Sequence, residues 1–191
     1  ATFSDPKAAV SGVRHISHLI DRNNVMVEVP ATAVGAEIIQ ALIADGISVN
    51  ATHLFSVDDY ERAALAYRDG PTHYIHANKV WHTAPTAVAS FSLSPIDAAV
   101  DAALATIGRQ DLSGLTAIAM AKTLYQRYLD LFSGREWDEL VANGAHPMRP
   151  KWTRVTPSDF QHRADYYVNN LIGPDTVATF SPIALNTFQQ E

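Results

Sequence analysis

Residues 25–54 read VMVEVPATAVGAEIIQALIADGISVNATHL and contain the pattern that decides the fold. The segment opens with three valines in alternation, which share one face of a strand and leave Glu28 on the other face. A helix is predicted from about Ala33, because apolar residues follow at helical spacing, and Gly46 ends it. Residues 47–54 are predicted to form a second strand. A strand, a helix and a second strand in this order predict a parallel sheet.

Helices and strands alternate along the rest of the chain. A first helix is capped by Ser4 or Asp5 and has Leu19 on its apolar face. The helix that starts near Ser56 is expected to end at Pro71. Further strands are predicted at 86–93, 151–155 and 176–180, and further helices from residue 95 and at 115–132, 135–142 and 167–172. We therefore predict a single α/β domain over residues 1–191.

The composition is typical of a globular, acidic protein. Hydrophobic residues make up 47% and charged residues 18%, and the net charge is -6. Binding to nucleic acid or to an anionic membrane depends on a basic face, so we expect neither partner. The chain has no cysteine, which excludes disulfides and thiolate chemistry. No apolar run has the length of a membrane span and no secretory signal is recognisable, so we expect a cytoplasmic protein.

Three stretches of the chain are similar to one known family. They are 26–32 (MVEVPAT), 45–56 (DGISVNATHLFS) and 88–91 (VASF), and further likeness follows at 117–137 and 171–177. In this order and spacing they resemble the transaldolases. The resemblance implies a (β/α)8 TIM barrel, which is incomplete here because the likeness begins after the third family strand. An open parallel edge is an aggregation hazard, so we expect another protein chain or a second copy to cover it.

The transaldolase resemblance also implies site residues. Glu28 takes the position of the lysine that forms the family's Schiff base. Only an amine gives the iminium that acts as the electron sink, so transaldolase chemistry is expected to be lost. Asn50 and Thr52 match a catalytic pair that contacts the intermediate and a water, and Ser90 matches a substrate-contacting serine. Arg154, at the matching seventh strand, is expected to point inward and to bind substrate.

Other positions depart from the family pattern. The family's phosphate-binding arginine corresponds to Pro95, and the cation beyond the seventh strand corresponds roughly to Ser158. Lys151 is expected to be out of phase with the inward-facing Arg154, and the remaining lysines lie on helices or in an irregular stretch, so none is expected to replace the missing amine. The resemblance implies no cofactor.

Histidines are the other residues that could carry chemistry, and the chain has eight of them. His73 and His76 have the spacing of one helix face, and His82 is close in sequence, but no acidic or cysteine ligand flanks them. We therefore expect surface histidines and no metal site. His53 is expected to face the helices as a core or interface residue.

Three functions remain open at this point. The first is a transaldolase-like protein that is inactive as a transaldolase and serves as a subunit or as a binding protein for a small sugar-phosphate-like ligand. Glu28 is then inert, in an internal salt bridge with Arg154. The second is a repurposed enzyme that uses Glu28, Asn50 and Thr52 for acid/base chemistry. The third is a transaldolase of the pentose phosphate pathway, completed by residues outside this chain. We expect the first.

Overall fold

The structure is a computed structural model that describes residues 5–76, 84–157 and 162–190. Strands and helices alternate through most of these ranges, with a short 3-10 turn at Gln110–Leu112. The elements are α1 (Pro6–Ile20), β1 (Val27–Pro30), α2 (Ala33–Ala44), β2 (Val49–Leu54), α3 (Val57–His76), β3 (Ala87–Ser92), α4 (Leu93–Thr106), α5 (Thr116–Leu131), α6 (Arg135–Ala142), β4 (Arg149–Thr153), α7 (Tyr166–Leu171), β5 (Val177–Ala178) and α8 (Pro182–Phe188).

The strands form one parallel sheet of five strands in the order β1-β2-β3-β4-β5. Each strand therefore pairs with the next strand along the chain, as in a (β/α)8 barrel. Within the described residues the sheet does not close, because β1 and β5 each have a partner on one side. The structure confirms the predicted α/β fold with an incomplete TIM-barrel-like sheet.

The two faces of the sheet differ in polarity because successive residues of a strand point to opposite sides. One face lies under the helices, and we call it the helix-covered face. The other is called the open face. Buried apolar residues of the helix-covered face include Val29, Ala51, Ala89 and Trp152. The open face carries polar residues at alternating positions, among them Glu28, Asn50, Ser90 and Lys151.

The junction between β1 and α2 depends on a glycine. Thr32 caps α2, and its hydroxyl accepts a hydrogen bond from the N–H of Gly35 at 3.0 Å. A Cβ atom at Gly35 would lie 1.7 Å from the carbonyl oxygen of Pro30. No other residue fits this approach without a shift of the helix, so glycine at 35 fixes how α2 follows β1.

A capping box fixes the start of α3 beside the end of β2. The Ser56 hydroxyl accepts from the N–H of Asp59 at 3.1 Å, and the Asp59 carboxylate accepts from the N–H of Ser56 at 3.1 Å. Burial raises the pKa of Asp59, but hydrogen bonds from Ser56, Arg62 and a backbone N–H outweigh it, and the pKa lies below its ordinary value. Arg62 also donates to the carbonyl of Ala31 at 2.9 Å, which ties α3 to the end of β1.

One expectation about the helices was wrong. α3 does not end at Pro71 but continues to His76 with the proline inside it. Gly70 packs directly on Ile43 of α2, and this contact holds the helix although the proline removes one of its hydrogen bonds. In α1, capped by Asp5, the buried residues lie near its start, and Leu19 is 69% exposed rather than buried.

The buried apolar residues from Ala9 to Ala184 form one cluster between the sheet and the helices. The assignment of residues 1–191 to a single domain stays a prediction for the chain as a whole. A helix at Pro182–Phe188 was not predicted. None of the helices in the described ranges combines the length and the apolar character that a membrane span requires.

Candidate functional site

The open face carries a cavity of about 430 Å³ near the carboxyl ends of the strands. In barrels of this type the carboxyl ends of the strands carry the functional residues. All five predicted site residues line this open-face cavity, together with others that the sequence did not suggest. Its lining consists of Glu28, Asn50, Thr52, His53, Ser90, Ser92, Lys151, Thr153, Arg154, Val155, Thr156, Thr179 and Ser181.

A row of hydrogen bonds connects the first three strands across the floor of the cavity. Glu28 and Asn50 are partners in the register of β1 and β2, and the Asn50 side-chain amide donates to Oε1 of Glu28 at 3.2 Å. The Ser90 hydroxyl donates to Oδ1 of Asn50 at 2.7 Å. Asn50 and Ser90 are buried, so their hydrogen bonds are shielded from water. The row fixes which way the Asn50 amide points and gives Glu28 a defined neighbour.

Glu28 itself is exposed to the cavity, which bears on both of its predicted roles. Among the described residues no cation lies within ion-pair distance of its carboxylate, so the expected salt bridge with Arg154 is not formed. A burial argument for acid–base chemistry does not hold either, because the side chain is not buried. What remains is an accessible carboxylate at the edge strand, with Asn50 as its hydrogen-bond donor.

The expectation that Lys151 lies out of phase was wrong. Lys151 pairs with Ser90 in the register of β3 and β4, and it lines the open-face cavity. The error came from the end of the strand. β4 stops at Thr153, and Arg154 follows with a φ of 51°, in the left-handed region. This residue breaks the alternation, so Lys151 and Arg154 both reach the cavity although they are an odd number of positions apart.

His53 was expected to face the helices, and the structure corrects this. It is exposed, has a φ of 59° and lines the cavity next to Thr52. The register between β2 and β3 shifts between Ala51 and Leu54, and this irregularity turns His53 away from the helix-covered face. Residues other than glycine held at positive φ cost about 1–3 kcal/mol each and cluster at functional sites. The sequence carried no signal for this turn.

The side of the cavity formed by β3, β4 and the segments that follow them is rich in hydroxyl groups. The hydroxyls of Ser92 and Thr153 lie 3.2 Å apart, and those of Thr156 and Ser181 lie 2.8 Å apart. With the two cations described above, this side can bind an anionic, hydroxylated molecule.

Several other predicted positions do not contribute to the cavity. Pro95 lies in α4, and Lys122 lies on α5 and lines a different cavity on the helix-covered side. Ser158 and His82, with Lys79, lie outside the described residues. In the ranges that the structure does describe, no three metal-binding side chains come together.

Comparisons with known proteins agree with the geometry of the sheet. The family model described as Transaldolase/Fructose-6-phosphate aldolase matches residues 2–191. Transaldolase 1 of Streptomyces avermitilis is 35% identical over 95% of this chain and 49% of that protein. The transaldolase of Frankia alni is 36% identical over 96% of this chain and 52% of that protein. Transaldolase 2 of Nostoc sp. is 36% identical over 95% of this chain and 50% of that protein.

This chain therefore spans about half the length of the curated relatives it matches. The matched part extends over almost the whole of the present chain, and it includes the strands that carry the open-face cavity. On these grounds the chain belongs to the transaldolase/fructose-6-phosphate aldolase family.

Proposed function

We propose that this chain binds a small sugar-phosphate-like molecule in the open-face cavity and does not carry out Schiff-base ketol transfer. The observation that carries the proposal is Glu28, which stands where the resemblance to transaldolases expects the amine and receives a hydrogen bond from Asn50. A carboxylate cannot form an iminium with a ketose, so the electron sink for carbon–carbon bond cleavage is missing at this position.

The cavity supports the binding part of the proposal. It is open, and its volume of about 430 Å³ is in the range of small-molecule sites. Lys151 and Arg154 supply cations for a phosphate, and the neighbouring hydroxyls and Asn50 supply partners for sugar hydroxyls. A purely structural role does not require accessible charges around such a cavity that, among the described residues, have no ion-pair partner.

A partner at the sheet edge is part of the same proposal. β1 pairs with β2 on one side, and just before the strand Val25 and Met26 are 37% and 39% exposed. An open edge flanked by apolar side chains favours association. We propose that another protein chain or a second copy covers this edge in the cytoplasm. Light scattering after size exclusion measures the mass of the particle, and a stable monomer in solution would contradict the idea.

Borohydride trapping tests the absence of Schiff-base chemistry. The protein is incubated with fructose 6-phosphate and reduced with borohydride, and its intact mass is measured by mass spectrometry. An active transaldolase treated in the same way is the positive control. We expect no mass increase for this chain. A specific adduct overturns the proposal, and mapping of the modified peptide then decides whether Lys151 carries it. Titration calorimetry with fructose 6-phosphate tests binding, and the absence of binding at millimolar ligand refutes that part.

A repurposed enzyme is the second candidate, and one observation favours it. Glu28 is exposed to an open cavity with His53 at its rim, so two groups able to transfer protons border the same space. If they act on a carbonyl compound, deuterium from the solvent enters at the carbon next to the carbonyl group. NMR of fructose 6-phosphate in D2O measures this exchange. Exchange that Glu28→Gln abolishes supports an enzyme, whereas exchange at the rate of a protein-free control counts against one.

A further inference from the structure

The charges around the open-face cavity are separated by sign. Glu28 lies on the edge strand β1, whereas Lys151 lies on β4 and Arg154 follows that strand. Two strands, β2 and β3, stand between them. Glu28 aligns with Asn50 and Val88, whereas Lys151 aligns with Ser90, two residues further along. Three intervals of about 4.8 Å across the strands and two residues along them put roughly 16 Å between the backbone positions of Glu28 and Lys151. The cavity therefore has a negative end and a positive end.

Neither end is neutralised within the part of the chain that the structure describes. Glu28 has a hydrogen bond from Asn50 but no ion pair, and no carboxylate lies within ion-pair distance of Lys151 or Arg154. Elsewhere in the described part of the chain opposite charges do meet, as in Arg14 with Asp45 at 2.7 Å. The unpaired charges of the cavity leave room for complementary charges on a ligand.

We propose that the ligand carries an ammonium group as well as an anionic group, as an amino-sugar phosphate does. This inference rests on the proposed binding function and narrows its ligand class. Asn50 donates to Oε1 of Glu28, which holds the carboxylate in place and leaves its other oxygen as an acceptor. An ammonium group there gains a charge-assisted hydrogen bond that a neutral hydroxyl cannot match. The anionic group then lies at Lys151 and Arg154, on the opposite side of the cavity from Glu28.

The expected preference for an amine-bearing ligand is small, because Glu28 is exposed. An ion pair between accessible groups contributes little, because water screens it. For Glu28 we expect about a twofold to fivefold gain in affinity from the amine. Low ionic strength makes the difference easier to measure, since salt screens exposed charges further.

Three matched probes test the proposal by titration calorimetry. Glucosamine 6-phosphate carries both charges, glucose 6-phosphate lacks the amine, and glucosamine lacks the phosphate. We expect the wild-type chain to bind the first probe more tightly than either of the others. Glu28→Gln should bring glucosamine 6-phosphate to the affinity of glucose 6-phosphate, and Lys151→Met should weaken both phosphates. Glu37→Gln and Lys122→Met, which change exposed charges outside the cavity, should leave all three affinities unchanged.

The outcomes separate this inference from the function on which it rests. If the wild-type chain binds glucosamine 6-phosphate and glucose 6-phosphate with equal affinity, the proposal of a zwitterionic ligand is overturned. The proposed binding of sugar phosphates is not affected by that result. An amine preference that survives Glu28→Gln also overturns the proposal of a zwitterionic ligand. If none of the phosphates binds, the proposed binding function fails as well. Circular dichroism of each variant verifies that the substitution has not unfolded the chain.

Discussion

Asn50→Asp is the most informative single change in the site, because Asn50 has contacts of two kinds. Its Oδ1 accepts from the buried Ser90 hydroxyl at 2.7 Å, and its amide donates to Oε1 of Glu28 at 3.2 Å. The substitution keeps the shape and the acceptor for Ser90. It replaces the donor with a second carboxylate oxygen, so two like charges face each other across the gap between β1 and β2.

The cost of this repulsion can be bounded. Two unit charges at roughly 4 Å repel by about 1 kcal/mol at the dielectric constant of water and by about 4 kcal/mol at a dielectric constant of 20. Glu28 is exposed, so the lower part of this range applies. We expect Asn50→Asp to lower the free energy of unfolding by about 1–2 kcal/mol at pH 7.

The sign of the pH dependence follows from the same repulsion. The neighbouring carboxylate raises the pKa of the introduced carboxyl group above its value in the unfolded chain. A raised pKa means that the penalty is absent below the unfolded value of about 4 and grows as the pH rises. Relative to wild type, the variant should therefore lose stability between about pH 4 and pH 7.

Urea denaturation between pH 4 and pH 8 measures this difference. Asn24→Asp is the matched control, because Asn24 is exposed before β1, and it should show little change. Asn50→Ala removes both contacts without adding a charge: it leaves the Ser90 hydroxyl without its acceptor and should cost about 1–3 kcal/mol at every pH. An Asn50→Asp variant with wild-type stability and no added pH dependence would refute the hydrogen-bonded row.

Three further predictions concern the scaffold that holds the site, and urea denaturation measures each of them. Gly35→Ala should destabilise the chain by about 3 kcal/mol, because the added Cβ atom clashes with the Pro30 carbonyl at the end of β1. Gly12→Ala is the control: Gly12 has open space around it in α1, so the substitution should stabilise the chain by about 0.5–1 kcal/mol. Equal effects of the two substitutions would contradict the close approach of Gly35 to Pro30. Tyr167→Phe removes a 2.7 Å hydrogen bond to the buried Asp97 carboxyl and should cost about 1–2 kcal/mol. The lowered pKa of Asp59 means that its contribution is present above its unfolded value of 3.8 and is lost as the pH falls, so Asp59→Asn should reduce the loss of stability in acid.

Most elements of the fold could be predicted because their signals are local. The segment 25–54 contains alternating valines, an apolar helix face and a glycine stop, and the structure has β1, α2 and β2 there. The prediction for 135–142 matches α6 in full. The predicted end of α3 at Pro71 was wrong because it used only the local rule that proline ends a helix. In the structure the helix continues through Pro71, where Gly70 packs on α2. The exposure of Leu19 could not be predicted either, because apolar residues at helical spacing do not show whether another element covers that face of the helix.

The site was predicted less completely than the fold. The resemblance identified Glu28, Asn50 and Ser90, and alternation placed Glu28 opposite the valines of its strand. In the structure all three line the open-face cavity. Lys151 was assigned to the wrong face because its phase was counted from Arg154, whose left-handed backbone breaks the alternation. Counting from Ser90 through the register of β3 and β4 gives the correct face, but that register is a long-range property that one sequence does not contain.

The backbone conformation argues against a site that has merely decayed. His53 and Arg154 are both at positive φ, both lie near the carboxyl end of a strand, and both border the same cavity. A chain that kept this domain only as a scaffold would gain stability by relaxing either residue, at about 1–3 kcal/mol each. The strained backbone and the hydrogen-bonded row from Glu28 to Ser90 border one space. Lys151 and Arg154, which have no carboxylate partner among the described residues, border the same space. We therefore propose that a carboxylate at the position where the resemblance expects the family's amine belongs to a site whose ligand has changed rather than to a site that has lost its use.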